Sequence, residues 1–315
     1  MAKITLPTMK GFLRKSLSSF NSNKLNGLLA ELDFRNHLGS LGFGERVSPG
    51  GWIFRRTREN FGQRTVVVFP EVIVADKDYP VGAVIPDPPH RLHTACATFH
   101  QSGIHAFYCY PSITKRNQCE LVRWDAVRMG VPMEKQPRDF LDAFADIFVT
   151  RNRKYNPLRY NSKVRSIPND CVPEEFSKEH IRVSFASRFY AETSDVDGIF
   201  WGEQHTYPIE IKEKTAAKSD DLGEWFGLDV GPFVKLAYYA SKRGNLHSLF
   251  VVREIDHEET RRLVAWRFIT FDQLAQYASW VFRGGGQGMG GARSAVVRVP
   301  KSEFKEVTAE ELERL

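Results

Sequence analysis

Residues 195–212, DVDGIFWGEQHTYPIEIK, constrain the fold more than any other stretch of this chain. Positions 198–201 are an apolar run of strand formers, and positions 207–212 alternate apolar with polar side chains. Alternation sends Ile209 and Ile211 to one sheet face and Glu210 and Lys212 to the other. A register that sets Asp197 opposite Glu210 leaves 202–205 as the connection, and four-residue hairpin loops are common. Two carboxylates and an ammonium then converge where a strand leaves the core.

Two readings of this cluster differ in their chemistry. In a solvated reading, Glu210 and Lys212 are the outer face of an edge strand and Asp197 belongs to a turn. In a catalytic reading, Asp197 and Glu210, with Ile211 beside them, hold a hard divalent cation through oxygen, magnesium or manganese. Lys212 then lies beside the attacking water and the scissile phosphate. A Glu-x-Lys triplet is a loose pattern, but this one sits inside an apolar strand and an aspartate begins the strand before it. The other triplet, Glu303-Phe304-Lys305, lacks such a partner strand.

The set Asp197…Glu210-Ile211-Lys212 resembles the signature of the PD-(D/E)XK nuclease superfamily, although Val196 stands where the family name has proline. Residues 229–241 read as a helix and 247–252 as a strand, which extends the likeness to a hairpin-helix-strand order over about a quarter of the chain. The resemblance implies a restriction-endonuclease-like fold and metal-dependent hydrolysis to a 5′-phosphate and a 3′-hydroxyl. It also implies a glutamate from an N-terminal helix at the metal, for which Glu31 is the best-placed residue. The alternative for Glu31 is a surface charge opposite Arg35, one turn on. The Gln-x-x-x-Tyr motif of exonuclease-like members is absent; the corresponding helix offers Lys235 and Tyr239 instead.

A chain of 315 residues suits one large domain or two modest ones. No apolar run reaches the length of a membrane span, and the first residues lack a secretory signal. Four cysteines without framework spacing point to a reducing compartment, hence the cytoplasm. The net charge of +6 is compatible with a polyanionic partner without demanding one.

Taken in order, 20–41 read as one long helix striped by Leu25, Leu28, Leu29, Leu32 and Leu38, with Gly42 as terminator. Strands are expected at 52–56 and 65–74, where Arg55, Arg56, Arg58 and Arg64 crowd together. They read equally as phosphate contacts or as a charged hairpin edge. Residues 76–91 hold four prolines and read as a boundary. His90, His93, Cys96, His100, His105, Cys109 and Cys119 then cluster, but the paired spacing of a zinc site is missing, so zinc is not the expected metal. A helix is expected over 137–149.

The most basic stretch is 151–165, with Arg151, Arg153, Lys154, Arg159, Lys163 and Arg165 interleaved with Tyr155 and Tyr160. It reads as a DNA-contacting surface, against the simpler alternative of a solvated loop. Residues 215–227 read as a polar loop, 263–271 as a strand, 272–281 as a helix and 295–299 as a strand. The glycine-rich 284–291 reads as a flexible connection and 301–315 as a terminal helix.

The expected fold is α/β: a restriction-endonuclease-like mixed central sheet flanked by helices, with an inserted or recognition subdomain. Its parts are 1–75 in the nuclease core, 76–175 as the insertion and 176–315 as the catalytic core. The expected function is a magnesium-dependent endonuclease of double-stranded DNA, in a restriction or phage-defence role, acting as a homodimer away from membranes. The alternatives are a structure-specific repair or junction nuclease, a non-catalytic DNA-binding protein on a degenerate nuclease fold, and a basic structural protein.

Overall fold

The computed structural model describes residues 2–17, 22–56, 65–130, 137–153, 167–242, 244–278, 280–284 and 293–315. Two helices come first, α1 (Leu6–Ser16) and α2 (Ser22–Ser40). Strands β1 (Gly51–Arg56) and β2 (Val66–Pro70), helix α3 (His90–Gln101) and strands β3 (His105–Ser112), β4 (Arg123–Met129) and β5 (Arg138–Asp139) follow. Short α4 (Phe140–Phe144) and long α5 (Val172–Arg188) lead into β6 (Ala191–Val196). Next come β7 (Gly198–Trp201), β8 (Thr206–Lys214), β9 (Ala217–Ser219), β10 (Gly223–Asp229) and α6 (Val230–Ala240). The last elements are β11 (Leu249–Ile255), β12 (Leu263–Thr270), α7 (Phe271–Ala275), β13 (Trp280–Gly284), β14 (Arg293–Pro300), β15 (Lys305–Glu306) and α8 (Ala309–Glu313).

The chain forms two compact units, one of residues 1–19 and 49–195, the other of 20–48 and 196–315. These limits differ from the boundaries at 76 and 176 drawn from the sequence. The proline-rich 76–91 lies inside the first unit, because β2 before it pairs in parallel with β3 after it. A parallel pair needs a crossover, and this stretch together with α3 supplies it.

The first unit is built on a six-stranded sheet in the order β5-β4-β3-β2-β1-β6. β1 is therefore interior and not the charged hairpin edge that its arginines allow; Arg55 pairs with Glu192 of the neighbouring β6 at 2.5 Å. The core includes Phe140, Phe144, Phe148, Phe185 and Phe189, and the Phe54 and Phe185 rings stack at 3.7 Å. Within 137–149 the helix is only Phe140–Phe144, capped by the Asp139 carboxylate accepting from Leu141 N–H. Residues 138–139 join the sheet instead.

The second unit holds two sheets where the sequence predicts one. The larger runs β15-β12-β11-β8-β7, with β8 and β11 parallel and the other neighbours antiparallel. The smaller, β13-β14-β10-β9, is antiparallel throughout. It absorbs residues expected as the polar loop 215–227 and as the end of a helix at 272–281, where the helix is only Phe271–Ala275. The expected terminal helix over 301–315 likewise shrinks to Ala309–Glu313.

Helix α2 covers one face of the larger sheet: Ala30, Phe34 and Leu38 share a buried cluster with Ile209, Ile211, Leu249 and Val251. Helix α6 covers the other, where Phe233 and Leu236 meet Phe250, Val252 and the smaller sheet's Phe226, Leu228, Val297 and Val299. α2 ends as its sequence predicts. Gly42 takes φ +88°, Phe43 N–H returns to Leu38 O and Gly42 N–H to Gly39 O. That paired closure needs a left-handed residue, and glycine adopts it without Cβ strain.

Candidate active site

The hairpin β7–β8 has the register expected from its alternation. Gly198 lies opposite Ile209 and Trp201 opposite Thr206, so 202–205 connect the strands and Asp197 faces Glu210 one step beyond the ladder. Ile209 and Ile211 enter the α2 side of the core, which turns Glu210 and Lys212 toward the α6 side. The outer edge of β7 is covered: Ser48 N–H donates to Ile199 O, and Ile199 N–H donates to Ser48 Oγ at 3.0 Å.

Asp197 sits where β6 ends and β7 begins, and it is 3% exposed. There the ladder has stopped, and the Asp197 Oδ2 accepts the Ile211 N–H at 2.6 Å. The side chain thus takes a main-chain donor that a continuing strand would have used. Ile211, expected among the metal contacts, enters the site through this N–H. Glu31 is buried on α2, which rules out the surface-charge alternative. Carboxylate oxygens of Glu31, Asp195 and Asp197 lie within 4.8 Å of one another, the one such group of metal-ligating type among the described residues.

Glu210 lies outside that group and is the most deeply buried of the expected site residues, at 1% exposed. Its Oε1 is 2.6 Å from Lys212 Nζ, and its Oε2 contacts Lys235 Nζ on α6. Tyr239, one helical turn beyond Lys235, is also buried. Burial raises its hydroxyl above the usual phenol range; Lys235 opposes the shift, while Glu210 and Asp197 add to it. Lys214, next on the same strand face, is lowered by burial, with Asp229 and Glu210 opposing.

Asp195 and Lys235 are the members that the spacing argument did not select. Asp195 opens the same acidic stretch, and Lys235 stands on α6 one turn before Tyr239. The signal for Lys235 was its place beside Phe233 and Leu236, whose burial makes position 235 an inward-leaning one.

The basic stretch divides. Arg151 is tied down by its own unit: its Nε donates to Ala186 O at 2.7 Å and its guanidinium lies 5.1 Å from the Tyr190 ring centroid. These contacts tie it to the end of α5. Arg153 is exposed, and Lys154, Tyr155, Arg159, Tyr160, Lys163 and Arg165 lie outside the described residues, as do Arg58, Arg64 and 285–292. Of the histidine and cysteine cluster, Cys96 and Cys109 are buried with thiols raised by burial, and the Cys119 thiol is pushed up to about 12. No helix of the described residues is long and apolar enough to cross a membrane.

No family model, curated protein or solved structure matches this chain.

Proposed function

We propose that this protein is a magnesium- or manganese-dependent endonuclease of double-stranded DNA, acting in a restriction or phage-defence role. One observation carries the reading: the hairpin sets Asp197 opposite Glu210, with Lys212 on Glu210 and with Glu31 and Asp195 at Asp197. The order α2, β7–β8, α6, β11, with β8 and β11 parallel, supports a restriction-endonuclease-like core in the second unit.

The donor set fits a hard cation. Carboxylate oxygens of Glu31, Asp195 and Asp197 lie within 4.8 Å of one another, and magnesium takes such oxygens together with water in an octahedral shell. An all-carboxylate group also favours magnesium or manganese over zinc. A divalent cation bound there supplies charge stabilisation at phosphate and a more acidic water. Asp197, Glu31 and Asp195 would hold it, and Glu210 would border it. Lys212, 35% exposed and paired with Glu210, would orient the attacking water and meet the phosphate.

The substrate's charge matches an uneven division of this chain's own. Over complete residue ranges, the first unit has 25 Lys and Arg against 17 Asp and Glu, and the second 19 against 21. The net +6 therefore splits into +8 and −2. The first unit would grip the polyanion, largely through sequence-blind phosphate contacts. Cutting both strands of a duplex is simplest with two copies of the site, which favours a homodimer.

Incubation of supercoiled plasmid with and without magnesium tests the reading. Cleavage should require the metal, be lost in Asp197→Ala and Lys212→Ala, and leave DNA binding intact in both. Wild-type cleavage by Asp197→Ala would sink the assignment, and preference for branched over linear duplexes would move it to a junction nuclease.

A further inference from the structure

Two lysines hold Glu210, and they differ in one respect. Lys235 and Glu210 are both sealed from solvent, at 4% and 1% side-chain exposure, whereas Lys212 is 35% exposed. Lys235 stands on α6 between Phe233 and Leu236, both anchored in the apolar cluster, with buried Tyr239 one turn behind it. Its ammonium therefore rises from a helix with little freedom to shift. Lys212 reaches Glu210 from a strand face that opens to water and can withdraw its head group.

Burying an ammonium against a carboxylate is costly, and a methionine would fill the same place on α6 without that desolvation. A buried ion pair is thus weak evidence for stability and better evidence for a geometric task. We propose that Lys235 is a positioning residue. Its ammonium fixes one oxygen of Glu210 and aims the other at the place where Lys212 and a bound cation exchange. The inference rests on reading the site as a metal-dependent nuclease, and it divides the labour: Lys235 is the permanent counter-ion, Lys212 the exchangeable one.

The assignment makes two effects of opposite sign. Removing the Lys235 charge takes a repulsive neighbour away from the cation, so metal binding tightens. The same change frees the Glu210 carboxylate to rotate, so turnover slows. A lesion of packing alone would weaken both.

Full-length wild type, Lys235→Met, Glu210→Gln and the double variant should be compared by thermal melting, Mn2+ calorimetry and Mg2+-dependent plasmid nicking. Without metal, Lys235→Met should melt several degrees lower, and adding Glu210→Gln should recover at least half of that loss. Lys235→Met should bind Mn2+ about tenfold more tightly. Its kcat should fall by about tenfold or more with KM for plasmid unchanged. Melting shifts that simply add, or wild-type kcat in Lys235→Met, would overturn the proposal. Recovery in the double variant of a protein that neither binds Mn2+ nor nicks DNA would keep the Lys235–Glu210 clamp and remove the nuclease reading. Mn2+ binding and nicking by wild type with an unaffected Lys235→Met would do the reverse.

Discussion

The two units bury polar groups in different ways. In the first, several buried groups have separate partners. His180 accepts from Trp124 Nε1 at 3.0 Å on one nitrogen, and its other nitrogen is 2.8 Å from Cys119 O. Tyr108 donates to Glu71 at 2.7 Å, and Arg182 grips Glu179 on the same helix. In the second unit, Glu31, Asp197, Glu210 and Lys235 are buried around one hairpin, with Lys212 opening to solvent. Separate, one-to-one satisfaction is what a core needs. Convergence of like charges is expensive, and under the proposed function it serves the metal site.

Four measurements would break or sharpen that contrast. The largest effect is expected at Glu210: Glu210→Ala strips a buried lysine of its counter-ion and should cost about 3–5 kcal/mol in denaturant unfolding of the second unit. A loss below about 1 kcal/mol would mean that the pair is solvated and the convergence unimportant.

The second test concerns His180, whose pKa burial lowers to about 4 from 6.5. Below 6.5 the unfolded chain binds a proton that the folded one refuses. Stability is therefore full above pH 6.5 and lost as pH falls toward 4, by about 3 kcal/mol in all. Unfolding midpoints of the first unit should show this slope in wild type and not in His180→Gln.

A third, smaller effect is expected from charge on the first unit. Replacing Arg153, Lys154 and Arg159 by alanine should lower the slope of log DNA affinity against log salt, by about one unit for each phosphate no longer neutralised. Arg151→Ala should instead lower stability, through its tie to Ala186. An unchanged slope in the triple variant would make 151–165 a solvated loop. The smallest effect is reserved for an exposed pair: Arg314→Ala should shift stability by less than about 0.5 kcal/mol, although Arg314 touches both Glu310 and Glu311.

Legibility followed the range of the interactions involved. The α2 helix, its Gly42 stop, α6 and the β7–β8 register could all be read from periodicity and one terminator, because each depends on neighbours in the chain. β9, β10 and β13 could not. Residues 215–227 mix glycine, aspartate and single aromatics, and they become strand because β10 pairs with β14 some seventy residues later. The helix expected over 137–149 failed for a related reason: Arg138 and Asp139 gain more by closing the edge of β4 than by starting a helical turn.

By itself, then, the sequence determined which side chains share the hairpin faces, and so that Asp197, Glu210 and Lys212 belong together. Alternation and loop length are local, and a slip of one residue would have turned both isoleucines out of the core. Only the tertiary structure decided that Glu31 is buried at Asp197, that Glu210 has a second lysine, and that the proline-rich stretch is a crossover and not a boundary. Each of those depends on helices meeting a sheet across long stretches of chain, where packing rather than local preference selects the partner.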